Sequence, residues 1–252
     1  MTIPSLPDLS TLRAPLIAKL SRFVELAARE RAHLEEIQAD FVKVRPGTDI
    51  ITAGHAYRHV CVLNRGMAIR YKVLHDGRRQ VLSLVLPGDF VGLPGCLFDS
   101  CLYSIASLTE VVSCPVPFTT LFDLFQRYPR LGTAMFWLAG HEAALYAEHL
   151  VRVGRQSAYE RVAHLLLELL FRLQIVGFAA DDHSYALPMT QELMADALGL
   201  SVPHVNRTLR RLREDGLIAI EGTRLVCRDV SALARVSDFD RANLARLRIP
   251  GL

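Results

Sequence analysis

The chain has 252 residues, enough for two modest domains of roughly 100–200 residues each. Hydrophobic residues make up 51% and charged residues 22%, a globular balance that excludes a disordered chain. The formal charge of +3 permits a nucleic-acid partner without demanding one.

No apolar run reaches the ~18 residues of a membrane helix, and the opening MTIPSLPDLSTLRAPL lacks a secretory pattern. A cytoplasmic location with no membrane partner is expected. The five cysteines, Cys61, Cys96, Cys101, Cys114 and Cys227, are odd in number and widely spaced, which argues against a disulfide framework.

In chain order, residues 1–39 read as helical. Leu26, Ala27, Glu30, His33, Leu34 and Ile37 recur at three-and-four spacing. Residues 40–118 change character: the β-prone runs VCVL, MAIRYKVL and QVLSLVL alternate with the turn signals Asn64-Arg65-Gly66, His75-Asp76-Gly77 and Pro87-Gly88-Asp89. Such spacing predicts an antiparallel barrel or roll.

Residues 119–153 revert to helix. Thr120 and Asp123 have capping-box spacing, and Pro129 opens a long segment. Leu131, Leu138 and Leu145 recur every seven residues there, with Met135 between them, while Glu142, His149 and Arg152 interrupt the seam. This heptad predicts a dimer helix, with Leu131, Met135, Leu138, Glu142, Leu145 and His149 at the interface. A helix packed on its own domain is the competing reading. Gly154 is expected to break the helix, and Ser157-Ala-Tyr-Glu160 is a capping box that starts the next. The expected domains are therefore 1–118, helices and roll; 119–156, dimerisation helix and hinge; and 157–252, a compact helical domain with a small hairpin, one more short helix and a tail.

The most informative segment is residues 187–227, LPMTQELMADALGLSVPHVNRTLRRLREDGLIAIEGTRLVC. Thr190 can cap a short helix, Gly199 can end it left-handed, and Ser201 can cap a second with Pro203 in its first turn. Ala195 is small where the two helices cross. Met194, Leu198, Val205, Leu209 and Leu212 form the apolar seam. This is the sequence form of a helix-turn-helix. The second helix carries Val202, Pro203, Asn206 and Arg207 near its N-terminal end, the end that reaches base edges. Arg207 suits guanine and Asn206 adenine. Arg210, Arg211 and Arg213 are phosphate candidates. The strands around Glu221-Gly222-Thr223 read as a wing, with Arg224 beside the groove. The expected DNA-facing set is Thr190, Gln191, Ser201, Val202, Pro203, His204, Asn206, Arg207, Arg210, Arg211 and Arg224.

With DGRRQVLSLVLPGDFVGLPGCLF, a long helix and PHVNRTLRRLREDGLI in this order, nearly the whole chain resembles the Crp/Fnr family of bacterial transcription regulators. The resemblance implies an α+β fold: an N-terminal antiparallel β-roll (jelly-roll-like), a long central dimerisation helix and a C-terminal winged helix-turn-helix. It also implies a homodimer that reads a pseudo-palindrome in double-stranded DNA and contacts RNA polymerase. Cyclic-nucleotide-binding members carry Glu after the Gly that follows Pro-Gly-Asp-Phe, and Arg before a Ser ten residues on. Here Gly92 is followed by Leu93, and Tyr103 precedes Ser104. Leu cannot accept ribose hydrogen bonds and Tyr cannot neutralise a phosphate, so this effector pocket reads as degenerate and cyclic AMP is not expected. Oxygen-sensing members hold an iron–sulfur cluster through cysteines near the N-terminus. No cysteine precedes Cys61 here, and Cys114 reads as core, so no cluster is expected. Cys96 or Cys101 is a candidate redox thiol, against the reading of a buried inert cysteine.

No catalytic residue or metal site is assigned. His55 and His59 lie four apart in a loop without a third ligand, and His141 and His149 on the long helix read as surface residues, against the reading that they face a haem or a pH-linked partner. Two rival readings remain at this point. A cupin-like enzyme would need His55, His59 or His75 to converge with a carboxylate. A non-DNA signalling module would need neither Asn206 nor Arg207.

Overall fold

The computed structural model describes residues 9–93 and 97–241, with side chains from residue 14 onward. Two helices, α1 (Leu9–Leu20) and α2 (Ala28–Glu36), precede the roll. They occupy less of the expected helical stretch than its periodicity suggests. Leu26 and Ala27 lie between them, and the Ala27 amide donates to Glu30 Oε2 at the start of α2 (2.8 Å).

The roll consists of β1 (Val42–Val44), β2 (Asp49–Ile51), β3 (His59–Arg65), β4 (Ala68–Val73), β5 (Arg79–Val85), β6 (Phe90–Val91), β7 (Ser104–Ser107) and β8 (Val111–Pro117). They form two antiparallel four-stranded sheets in the orders β1-β8-β3-β6 and β2-β7-β4-β5. Strand β3 is buried through Val60 to Asn64 because it has a sheet on one face and α1 on the other. Ile51, Leu63, Val85, Ile105 and Val111 fill the space between the sheets. Gly88 has a left-handed φ of +83° and lies against Pro15, whose carbonyl oxygen a Cβ would meet at 2.7 Å. Only glycine lets α1 approach the Pro-Gly-Asp turn this closely.

Helix α3 (Phe118–Arg127) begins two residues before the expected cap. Pro117 stands at its N-cap, so Thr120 lies inside the first turn and does not cap it. The backbone break comes from Pro117 ending β8. Helix α4 (Pro129–Arg155) then runs through Gly154 without interruption. One exposed glycine costs a helix only about 1 kcal/mol, and here the rest of α4 outweighs it.

Helix α4 spends three of the expected seam residues on its own domain. Leu131, Met135 and Leu138 are buried in their own domain with Leu16, Leu20, Phe23 and Leu124. They are not available to a partner helix. Leu145 packs on the cluster that joins the roll to the C-terminal domain, and Glu142 pairs with Arg70 of β4. His141 is buried, stacked on Trp137, rather than at the surface. The face of α4 left open is a different one. Phe136 is 80% exposed and Leu150 74%. Gly140, Ala143, Ala147 and Gly154 are also exposed.

The capping box at Ser157 forms as its sequence indicates: the Glu160 amide donates to Ser157 Oγ (3.4 Å) and the Ser157 amide to Glu160 Oε2 (2.6 Å). It opens α5 (Ala158–Ile175), followed by β9 (Ser184–Ala186), α6 (Gln191–Leu198), α7 (Val202–Glu214), β10 (Ile218–Glu221), β11 (Arg224–Cys227) and α8 (Val230–Ser237). The expected tail beyond residue 241 lies outside the described residues. Among the described residues no helix is long and apolar enough to cross a membrane.

Candidate nucleic-acid interface

Two short helices joined by a glycine turn build the candidate interface. Thr190 Oγ1 accepts from the Leu193 amide (3.1 Å) and starts α6. Gly199 closes it at φ +61°, and its amide donates to the Ala195 carbonyl. The chain then turns directly into α7, with Pro203 in its first turn. Ser201 holds the cap position with extended backbone, but its hydroxyl makes no cap hydrogen bond, contrary to the sequence expectation. The turn is held instead by the Leu200 amide on Ala195 O (3.1 Å) and by Arg161, which donates to Leu198 O (2.9 Å).

Met194, Leu198, Val205, Leu209 and Leu212 are buried together, as the seam requires. Each buried residue of α7 forces its neighbours outward. Ser201, Val202, Pro203, His204, Asn206, Arg207, Arg210 and Arg211 all lie on the exposed face. Thr190 and Gln191 are exposed beside them at the start of α6.

The exposed side chains fall into two groups. Among the described residues Arg207 has no carboxylate partner, so its guanidinium is open to a base edge or a phosphate. Asn206 Nδ2 donates to Gln191 Oε1 (3.1 Å), which orients the amide. Arg210 pairs with Glu214 (2.8 Å). Arg211 lies over the Tyr159 ring (4.7 Å) and within 3.8 Å of Asp215. Tyr159 donates to Asp215 (2.6 Å). Burial first, then Asp215, pushes its phenol up to about 12, so it remains a donor at neutral pH. Sequence reading missed Tyr159, because it sits on α5 and meets Arg211 only in the fold. The wing also gains a strand: β9 pairs with β11, and Arg224 is tied to Asp182 (2.5 Å) and Ser184 (3.0 Å) of that edge. Its guanidinium is therefore less open to DNA than its place in the hairpin suggests.

Beside Tyr103 the roll carries a buried arginine. Arg70 is 1% exposed and ion-paired to Glu142 of α4. The Tyr103 ring lies 4.6 Å from its guanidinium and the Tyr146 ring 5.6 Å. Leu93 packs against the apolar cluster beneath α4. Gly92 adopts φ +98°, close to His59 O, and Ser104 Oγ accepts from the Ala53 amide (3.0 Å). Arg70 is the functional candidate the sequence reading passed over; only the strand pairing brings it beside Tyr103.

The described residues contain no group of three or more His, Cys, Asp or Glu suited to a metal. Cys61, Cys101, Cys114 and Cys227 are buried, and Cys96 lies outside the described residues. Burial pushes the Cys101 thiol up, away from the thiolate a redox sensor needs. His141 and His149 are each pushed down to about 4, first by burial and then by nearby cations, Lys19 and Arg152 respectively, so both are neutral at pH 7.

Family profiles match in two places: "Cyclic nucleotide-binding domain" over residues 41–128 and "Crp-like helix-turn-helix domain" over residues 160–236. The chain is 31% identical over 216 residues to the transcriptional activator protein FnrL of Cereibacter sphaeroides, spanning 85% of this chain and 83% of FnrL. It is 30% identical over 205 residues to the transcriptional activatory protein AadR of Rhodopseudomonas palustris, spanning 80% and 83%. The solved structure of FixK2 from Bradyrhizobium japonicum matches with a TM-score of 0.72 at 26% identity, over 80% of this chain and 98% of that one. A β-roll, a long helix and a winged helix-turn-helix with an open basic face define a DNA-binding transcription regulator. The chain belongs to the Crp/Fnr family of these regulators.

Proposed function

We propose that this regulator works as a cytoplasmic homodimer that reads a pseudo-palindromic operator, with half-sites about one DNA turn apart. The observation that carries the reading is the open face of α7. Arg207 is unpaired among the described residues, and Asn206 is held by Gln191 at the end of the helix that enters the groove. Val202 and Pro203 offer apolar surface to a thymine methyl. Arg210, Arg211 and Arg213 follow at positions suited to phosphates.

The second copy sits on the open face of α4. Phe136, Ala143 and Leu150 are spaced by seven, as are Gly140, Ala147 and Gly154, and all six are exposed. A seven-residue repeat of apolar and small residues suits a parallel helix pair at close approach. This seam replaces the one expected from Leu131 and Leu138.

The regulator acts without the family's usual cyclic AMP contacts and without a metal or iron–sulfur cofactor. Leu93 has no acceptor for a ribose hydroxyl. Tyr103 covers Arg70, whose charge Glu142 already neutralises. RNA polymerase is its partner at the promoter.

Selection of bound sites from random DNA tests the reading. A two-fold related motif with one half-site spacing is the expected result. Recovery of unrelated sequences, or binding that does not weaken with salt, overturns it.

A further inference from the structure

The helix-turn-helix domain does not hang from the hinge alone; it is tied to the roll at two separate points. Arg172 of α5 donates to Asp89 of the Pro-Gly-Asp turn (2.7 Å) and to Leu84 O of β5 (2.9 Å). It also pairs with Glu168 on its own helix (2.9 Å), and Glu168 in turn holds Arg152 of α4 (3.0 Å). Asp89 is fixed from the other side by Lys19 of α1 (2.5 Å) and by the Leu86 amide (2.8 Å). The second point is Arg79 of β5 on Asp196 of α6 (2.7 Å). Between the two ties, Ile69, Val81 and Leu84 of the roll share one apolar cluster with Leu169, Leu193 and Leu198.

Arg172 and its acceptors are almost wholly buried, with side-chain exposures of 9% for Arg172, 10% for Glu168 and 14% for Asp89. A buried ion is strongly penalised unless its partners stay in place, so such a cluster has one favourable geometry. The ties therefore hold α6 and α7 at a set orientation on the roll, while the reading face of α7 stays open. In a dimer joined through α4, that orientation decides how far apart the two α7 helices lie.

We propose that Arg172, Asp89 and the Arg79–Asp196 pair are specificity-determining residues that set which half-site spacing the regulator accepts. They touch no base. The inference rests on the dimeric, palindrome-reading function proposed above.

Sites are selected from random DNA with the full-length wild type, Arg172→Met, Arg79→Ser and the double variant. The half-site motif and the spacing are scored separately. All four proteins recover the same half-site motif. In the double variant the preference for the best spacing over its neighbours falls about tenfold, because a loosened link no longer favours one separation. Should Arg172→Met fail to fold, Arg79→Ser and Asp196→Ser carry the test, since that pair is part-exposed; each broadens the spacing by itself. Wild-type spacing preference in the folded variants overturns the inference and leaves the dimer reading standing, and so does loss of the half-site motif itself. A wild type that selects no paired half-sites overturns both.

Discussion

Arg70 of β4 and Glu142 of α4 form an ion pair that fastens the long helix to the roll, with the Tyr103 ring stacked beside the guanidinium. The pair is lopsided, for Arg70 is 1% exposed and Glu142 37%. Removing the outer partner strands a buried cation, whereas removing the cation strands little. Glu142→Ala is therefore expected to lose about 2 kcal/mol of stability, a figure already reduced for the exposure of Glu142, and Arg70→Met less than that. Urea unfolding of both variants checks the order. Equal losses would mean that the pair is not the source of the effect.

The reading face gives a contrast between two arginines. Arg207→Ala is expected to lose about 1–3 kcal/mol per half-site and to relax preference at one base position. Arg211→Ala, which removes the guanidinium stacked on Tyr159, weakens binding evenly across sequences and lowers the salt slope by about one. Binding isotherms on matched and mismatched operators at two salt concentrations separate the two behaviours. Unchanged base preference in Arg207→Ala would remove it from the reading set.

Two substitutions on α4 distinguish its faces. Leu150→Glu on the open face is expected to give a folded monomer that binds palindromes poorly. Leu138→Glu places a charge in the core under α1 and unfolds the domain. Sedimentation combined with thermal melting reads both. A dimeric Leu150→Glu protein would put the seam elsewhere.

Stability should fall as pH drops from about 6.5 to about 4. His141 and His164 are buried and pushed down to about 4, by burial first and then by Lys19 near His141 and Arg152 near His164. An unfolded histidine takes up its proton near pH 6.5. Between these values the unfolded chain binds more protons than the folded one, so acidification favours unfolding. The slope is up to about 1.4 kcal/mol per pH unit for each histidine. His164→Phe should flatten it. A stability curve level from pH 7 to pH 4.5 would contradict the burial of these rings.

The helix-turn-helix was legible because its signals are local. Thr190, Gly199 and Pro203 each act on the backbone within a few residues, and the seam from Met194 to Leu212 follows from helical period alone. The turns of the roll were legible for the same reason, through Gly66, Gly77 and Gly88. What covers the heptad face of α4 was not. Leu131 and Leu138 keep perfect heptad spacing, yet spacing states only that an apolar face exists and not what covers it. The α1 residues that cover this face, Leu16 and Leu20, lie over a hundred positions earlier in the chain.

Sequence by itself determined the order of elements, the family and the exposure of Asn206 and Arg207 on the second helix of the helix-turn-helix, since backbone capping and helical periodicity operate over a few residues. Tertiary structure decided which faces of α4 and α5 are spent, that Glu142 pairs with the buried Arg70, and that Arg172 reaches Asp89. Those outcomes depend on desolvation and packing between segments distant in the chain, and such long-range pairings leave no periodic trace in the order of residues.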